Sequence, residues 1–448
     1  MSMENIILKF SDFVRNSVGI KIMVIGLLLV VLMIPMALIE SLMEEREIRR
    51  YSVINEISSK WGEKQTIAGP ILTIPYKIYT KDHRGNISST TSYMYFLPKN
   101  LNVKCEVKPE IRYRSIYEVV LYEAKLNMEG TFEYPRVEEF EVVMENIQWE
   151  AAVLSVGISD MRGIKNGISA VINDKNISFQ PGIESKDVLS AGVSAKIELP
   201  ADKKDFSFKF KVDLNGSHAI NFVPIGETTT VSLQSGWSSP SFSGSFLPNT
   251  REINEHGFTA SWKVFHLNRN YPQQWLGGNQ SIDNSKFGVK LFVPTDVYQK
   301  SMRTIKYALM FIVLTFSAFF FAEISNKKRI HPVQYLMVGF AITIFYSLLI
   351  SISEHINYDI AYTISSVAII SLITGYSKGI LKSTKLSALV LATLSILYGY
   401  LYIVLQLEDY ALLIGSIGLF ATLSAVMYAT RKIDWYTVKF ENSKPDGQ

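Results

Sequence analysis

Lys21-Ile-Met-Val-Ile-Gly-Leu-Leu-Leu-Val-Val-Leu-Met-Ile-Pro-Met-Ala-Leu-Ile39-Glu40 is the stretch on which the fold turns. From Ile22 to Ile39 it carries no charge, while Lys9, Arg15 and Lys21 precede it and Glu40, Glu44 and Glu45 follow. Eighteen residues at a helical rise of about 1.5 Å reach about 27 Å, close to the roughly 30 Å of a hydrocarbon core. A cleaved leader would have a shorter apolar region and a small-x-small site, but this run ends Met36-Ala37-Leu38-Ile39-Glu40-Ser41-Leu42. It reads as an uncleaved anchor.

Working outward, no comparable run occurs before Tyr307. From there five follow: Tyr307–Ala322, Pro332–Ser353, Ile360–Ser377, Leu386–Leu407 and Tyr410–Thr430. Their lengths suit tilted spans, so six crossings are expected. Lys and Arg collect on the cytoplasmic side of short connections. Asn326-Lys327-Lys328-Arg329, then Lys378, Lys382 and Lys385, then Arg431, Lys432 and Lys439 follow alternate spans, whereas Ser353–Asp359 and Glu408-Asp409 contain neither Lys nor Arg. Both termini are therefore expected inside and residues 42–303 outside the cytoplasm.

The long middle segment begins with Ile48, Val53, Ile54, Ile57 and Trp61 at near-helical spacing, which predicts an amphipathic helix from Glu40 to Lys60 that stops at Gly62. Beyond it, Phe206-Ser-Phe-Lys-Phe-Lys-Val212 alternates strictly. Thr228–Leu233 and Phe258–Phe265 are rich in β-branched and aromatic residues, with turn residues between. This predicts an antiparallel, sandwich-like domain of mainly β structure, in one lobe or two. Phe96-Leu97-Pro98 before Val103–Val107 and Phe222-Val223-Pro224 before Thr228–Leu233 hint at an internal repeat.

Composition narrows the function. Charged residues make up only 19% of the 448-residue chain against 48% hydrophobic, and the net charge of +4 includes no dense basic block, so nucleic acid is not an expected partner. A single cysteine, Cys105, excludes an internal disulfide and thiolate metal cages. The six histidines are scattered without an H-E-x-x-H, and no G-x-S-x-G, Walker or dinucleotide-binding pattern occurs. No metal, cofactor or catalytic residue is expected, and Glu138-Glu139 reads as a solvated face. Two groups of residues are candidates for function. Glu354, His355, Asp359, Glu408 and Asp409 fall in two turns on the same outer side and could respond to protons or cations. Trp237, Tyr271 and Trp275 lie in Gly/Ser/Asn-rich loops, where exposed rings could meet a glycan or a protein partner and buried rings would close the end of a sandwich.

Several ordered segments carry a family resemblance: Trp61-Gly62-Glu-Lys-Gln65-Thr66-Ile-Ala-Gly69-Pro70-Ile-Leu-Thr-Ile-Pro75-Tyr76, Ile158-Ser-Asp160-Met-Arg162-Gly163, Ser239–Pro248 and Arg269-Asn-Tyr271-Pro272. In the C-terminal part they are His331-Pro332-Val-Gln334-Tyr335, Ser353-Glu354-His355, Gln406–Ser416 and Asp434-Trp435-Tyr436. Over nearly its whole length the chain resembles the CreD family of inner-membrane proteins of Gram-negative bacteria. The resemblance implies a role in cell-envelope integrity, envelope stress and colicin tolerance under a two-component regulator, and it supplies no catalytic residues. Gly69-Pro70 and Pro75 are expected at turns or strand edges and Pro332 in the first turn of a helix.

The combined expectation is a membrane protein with a cytoplasmic N-terminus (1–21), one N-terminal transmembrane helix (22–39), a large mainly-β periplasmic domain (40–303), a C-terminal five-helix transmembrane bundle (304–430) and a cytoplasmic tail (431–448). Its partners would be the lipid bilayer and an envelope protein or glycan. A non-enzymatic binding role leads, and a transporter, or transporter subunit, for a small molecule or lipid gated by the outer charged turns is the alternative.

Overall fold

The computed structural model describes residues 18–431 except 82, 85, 279, 292–296, 326–329 and 408–409. Glu408, Asp409, the basic connection 326–329 and the segment Asp434-Trp435-Tyr436 thus lie outside the described residues. The chain forms two compact units, Met1–Arg49 with Thr295–Gln448, and Arg50–Pro294.

The anchor and the expected amphipathic helix are one element, α1 (Val18–Trp61), which passes through Pro35 unbroken and contributes to both units. Pro35 removes one backbone hydrogen bond from an apolar helix, a loss that apolar spans commonly accommodate. The helical unit adds α2 (Val297–Lys306), α3 (Ala308–Ser325), α4 (Pro332–Ser353), α5 (Tyr358–Leu381), α6 (Thr384–Gln406) and α7 (Ala411–Thr430). Among the described residues, four helices are long and apolar enough to cross a membrane. The pair α2 and α3, bent by 45° around Tyr307, makes a fifth, and the twenty residues of α7 include no Asp, Glu, Lys or Arg. The predicted span at Tyr307 therefore starts earlier than its apolar run, with the polar α2 preceding the bend. As its sequence suggested, Pro332 occupies the first turn of α4, behind the N-cap His331.

On α1, Met23, Leu27, Val30, Ile34 and Leu38 form an exposed apolar stripe, while Leu32 and Met43 are buried among Phe311, Phe316, Phe345 and Tyr346. Leu32 packs where any side chain larger than the hydrogen of Gly339 would stand. The anchor is thus a packed member of the helical unit.

The β unit has two sheets. Its strands are β1 (Gln65–Lys81), β2 (Ile87–Phe96), β3 (Asn100–Arg114), β4 (Tyr117–Phe132), β5 (Val153–Ile158), β6 (Ser169–Ile172), β7 (Lys175–Ser178), β8 (Gln180–Pro181) and β9 (Gly192–Lys196). The second half supplies β10 (Phe206–Ser217), β11 (Ala219–Phe222), β12 (Thr228–Ser235), β13 (Pro240–Gly244), β14 (Thr250–Asn254), β15 (Gly257–Phe265), β16 (Gln274–Leu276) and β17 (Phe287–Leu291). One sheet runs β13-β17-β11-β1-β5-β9-β8, with β2 and β16 attached beside β1. The other runs β14-β15-β12-β3-β4-β10-β6-β7.

The sheets are mixed rather than purely antiparallel. β1 pairs parallel with β11, and β3 pairs parallel with β12, Asn100 opposite Thr228 and Val107 opposite Ser235. The two Phe-x-Pro segments therefore lead into adjacent parallel strands. A single core joins the sheets: Phe242 meets Phe258 and Trp262 at 5.7 and 5.8 Å, and Trp262 meets Phe287 at 5.5 Å. The β unit is one lobe. In β10 the alternation is realised, with Phe206, Phe208, Phe210 and Val212 buried and the lysines between them exposed. β1 instead is buried without interruption over 67–76, and Gly69-Pro70 lies inside it, at a register shift between Ala68 and Ile71, rather than at an edge or turn. A bulge is where a strand tolerates a residue without an N–H.

Candidate functional site where the long helix meets the sheets

α1 ends because Gly62 follows it at φ 149°, with its amide donating to Ser58 O at 2.8 Å. Only hydrogen fits on its Cα, since the Asn215 carbonyl stands where a Cβ would go, and Gly163 meets the same carbonyl. Two of the sequence segments singled out above are locked together here. Gln65, fully buried, donates from Nε2 to Asp160 O and Asn215 O, both at 3.0 Å, and accepts at Oε1 from Asp160 N at 3.3 Å. Asp160 accepts from Glu63 N at 2.8 Å and from Arg162 Nε at 2.9 Å, and Arg162 also reaches Glu63 at 2.9 Å. Burial alone would raise the Asp160 pKa. The Arg162 hydrogen bond and the two backbone amides outweigh it and lower the pKa.

His218 lies beside this network at the point where the chain leaves one sheet for the other. It follows β10, precedes β11 and adopts φ 58°. Its amide donates to Val120 O in β4 at 3.1 Å and its carbonyl accepts from Leu291 N in β17 at 2.8 Å, so both sheets fix it. Burial, followed by the positive charges of Lys64 and Arg50, lowers its pKa to about 4, which keeps the imidazole neutral near pH 7.

Ser217 and His218 line a cleft of about 690 Å³ together with Ser58, Glu56, Glu63 and Lys64. Ser58 and Ser217 are 5% and 1% exposed, and Ser58 Oγ, Ser217 Oγ and His218 Nε2 are buried without a hydrogen-bond partner. A buried polar atom left unpaired costs on the order of 1–3 kcal/mol, so three in one cleft mark a place built to receive polar atoms. Among the described residues neither the Ser58 nor the Ser217 hydroxyl is hydrogen-bonded to the imidazole.

The candidate charged residues of the turns go to separate partners. Glu354 faces Arg46 Nη1 at 3.4 Å, His355 is exposed, and Asp359 accepts from Gln406 Nε2 at 2.6 Å, with Lys300 donating to the same Gln406 at 3.3 Å. No hydrogen bond or ion pair joins Glu354, His355 and Asp359 to one another among the described residues. Of the two readings left open for the loop aromatics, the structure shows burial for two of the three. Tyr271 and Trp275 are 6% and 5% exposed, and both belong to the core between the sheets. Trp275 lies in β16 and stacks on Tyr95 at 5.4 Å. Tyr271 donates to Pro224 O at 3.1 Å beneath the buried guanidinium of Arg269. Trp237 is half-buried against the same core.

Sequence reading missed Glu323, which stands one residue past the apolar run Tyr307–Ala322. It is fully buried, ion-paired with Lys21, and accepts from Tyr335 Oη and Ile330 N, both at 3.0 Å. Lys21 also donates to Ile330 O at 3.0 Å. The available signal was the symmetry of the flanks: Lys21 opens one apolar run and Glu323 closes another. Arg46, which pairs with Glu354, lies 25 residues along α1 from Lys21, about 37 Å at 1.5 Å per residue, so the two ion pairs bracket a bilayer-sized length of helix.

Comparison with known proteins agrees with the sequence resemblance. Residues 17–436 match the family model described as "Inner membrane protein CreD". A curated relative, "Inner membrane protein CreD" of Escherichia coli (strain K12), is 31% identical over 422 residues, which cover 92% of each chain.

Proposed function

The chain belongs to the CreD family of inner membrane proteins, and from that premise we propose that it supports cell-envelope integrity by binding an envelope component or partner through its β unit. In this reading six apolar helices cross the inner membrane, both termini are cytoplasmic and residues 42–303 are periplasmic. The bundle anchors the protein, and no reaction is catalysed. The observation that carries the proposal is the cleft: three unpartnered buried polar atoms stand in the β unit beside the two interlocked segments around Gln65 and Asp160. The Lys/Arg-bearing turn at Lys378, Lys382 and Lys385 supports the orientation.

A second reading is favoured by one observation. Inside the helical unit the hydroxyls of Tyr346, Tyr398, Ser365 and Ser366 are buried without partners, as in a polar path through the bundle of a transporter or transporter subunit. Rescue of envelope integrity in a deletion strain separates the two, with membrane levels matched. On the binding reading, Lys64→Gln with Ser217→Ala abolishes rescue, while joint neutralisation of Glu354, His355, Asp359, Glu408 and Asp409 preserves it. The reverse pattern supports the transporter. Orientation is checked by labelling: Cys105 is buried at 3% exposure and gives little background, and a cysteine introduced at Lys382 reacts only from the cytoplasmic side.

A further inference from the structure

The cleft beside His218 offers more donors than the protein itself uses, and they come from three separate stretches of chain. Ser58 belongs to α1, Lys64 to the turn between α1 and β1, and Ser217 and His218 to the corner between β10 and β11. The charges on its wall are unevenly matched. Glu56 is paired with Lys60 at 2.7 Å and with Arg114 at 2.5 Å, and Glu63 with Arg162 at 2.9 Å. Lys64 Nζ has no ion-pair partner among the described residues, so the charge left over is positive, and Arg50 acts on His218 with the same sign. No aromatic ring lines the cleft, so the flat surface on which sugar rings stack is missing.

Resting on the reading of the β unit as a binding module, we infer that this cleft binds a small oxyanion, a carboxylate or phosphate group, held by Lys64 and by the donors of Ser58, Ser217 and His218. Two serine hydroxyls rotate to donate, and a neutral imidazole carrying its proton on Nε2 donates a third hydrogen bond. The anion turns each of these into a charge-assisted bond, the stronger kind, and supplies the partners that the three buried atoms lack. The group can belong to a dissolved metabolite or to a lipid headgroup.

The test uses the full-length protein in phosphatidylcholine nanodiscs, titrated calorimetrically with inorganic phosphate and separately with succinate. At least one probe binds with a Kd of about 1 mM or tighter, Lys64→Gln weakens it about tenfold, and Ser217→Ala weakens it several-fold. Lys81→Gln, a surface lysine on β1 outside the cleft, leaves it unchanged. Melting temperatures confirm that each variant is folded; Lys64 is exposed and carries no contact that folding needs. Absence of binding by both probes, or equal affinity in wild type and Lys64→Gln, overturns the inference. Repeating the titration in nanodiscs containing phosphatidylglycerol separates the sources: competition assigns the site to a headgroup, and unchanged affinity assigns it to a dissolved anion. Lost rescue without probe binding removes the oxyanion and keeps the binding module. Probe binding that depends on Lys64, with rescue intact in Lys64→Gln, keeps the site and removes the module.

Discussion

Glu323 in the helical unit and His218 in the β unit are both polar side chains taken out of water, and the protein treats them in opposite ways. Around Glu323 every demand is met: Lys21 neutralises it, and Tyr335 Oη and Ile330 N fill its oxygens. Around His218 the protein leaves Nε2 and two neighbouring serine hydroxyls unpaired while excluding them from solvent. A saturated buried network fixes one arrangement of helices, whereas an unsaturated one carries a cost that an incoming polar group removes. On the proposed reading, the difference separates a structural clamp from a receptor.

The sharpest way to break this contrast is to remove the clamp. Glu323→Ala leaves Lys21, Tyr335 Oη and the Ile330 amide without their acceptor, and breaking one side of a buried pair typically costs about 3–5 kcal/mol. Thermal unfolding in detergent shows the loss as a large fall in Tm. Lys21→Met leaves the fully buried Glu323 carboxylate without its counter-charge and lowers Tm by a similar amount, and the paired variant Lys21→Met with Glu323→Leu recovers part of the stability. A neutral effect of Glu323→Ala would mean that the pair contributes nothing to holding α1.

The receptor side is probed by acid. The His218 pKa is about 4 in the folded protein against about 6.5 unfolded, so from pH 6.5 downwards the unfolded chain takes up a proton that the folded chain refuses. Stability contributed by neutral His218 is complete above pH 6.5 and is lost as pH falls towards 4, by as much as about 3 kcal/mol. Glu56, the carboxylate on the same cleft wall, stays ionised through that window, because its hydrogen bonds to Arg114 and Lys60 lower its pKa to about 2. His218→Asn, which tolerates φ 58°, flattens the pH dependence of Tm between 7 and 4.5, and equal slopes for variant and wild type would refute the assignment.

Much of this architecture is legible from the amino-acid sequence and some of it is not, for physical reasons. Apolar runs become helices because a bilayer leaves the backbone no other partner for its hydrogen bonds, and Phe206–Val212 becomes a strand because its period of two matches one buried face. Sheet order is a different matter. The parallel pairs β1–β11 and β3–β12 join residues far apart in the chain, and nothing local encodes which distant strand arrives. Glu323 escaped notice because its partner Lys21 is 302 residues earlier. For Tyr271 and Trp275 exposure and burial both stayed open, because polar loop sequences describe the solvent side of a loop and not the face it turns inward. His218, a lone histidine in the sequence, becomes a candidate only when a strand corner, Ser58 and Lys64 converge on it.

A milder contrast lies within the helical unit. Arg46 and Glu354 form a second ion pair on α1, but at 3.4 Å, with the two side chains 37% and 10% exposed. A pair this long, with its cation reaching water, contributes about 0–1 kcal/mol, so Glu354→Gln shifts Tm by only a degree or two, and high salt reduces the shift. An effect as large as that of Glu323→Ala would make both ends of α1 equal clamps.

The smallest expected change carries the most direct information about the cleft. Ser217 is 1% exposed, yet its hydroxyl has no partner, so Ser217→Ala removes an unpaired polar atom and keeps the Cβ in place. For a serine with an internal hydrogen bond the same change costs about 1 kcal/mol; here the cost vanishes or changes sign, because the desolvation penalty goes with the oxygen. Without ligand the variant melts at or slightly above wild type. With a saturating oxyanion the order reverses, since a ligand that binds only the folded state stabilises in proportion to its affinity, and the wild type binds more tightly. A variant less stable than wild type without ligand would show that the hydroxyl is internally satisfied, and the distinction between the clamp at Glu323 and the open cleft at His218 would lose one of its three unpaired atoms.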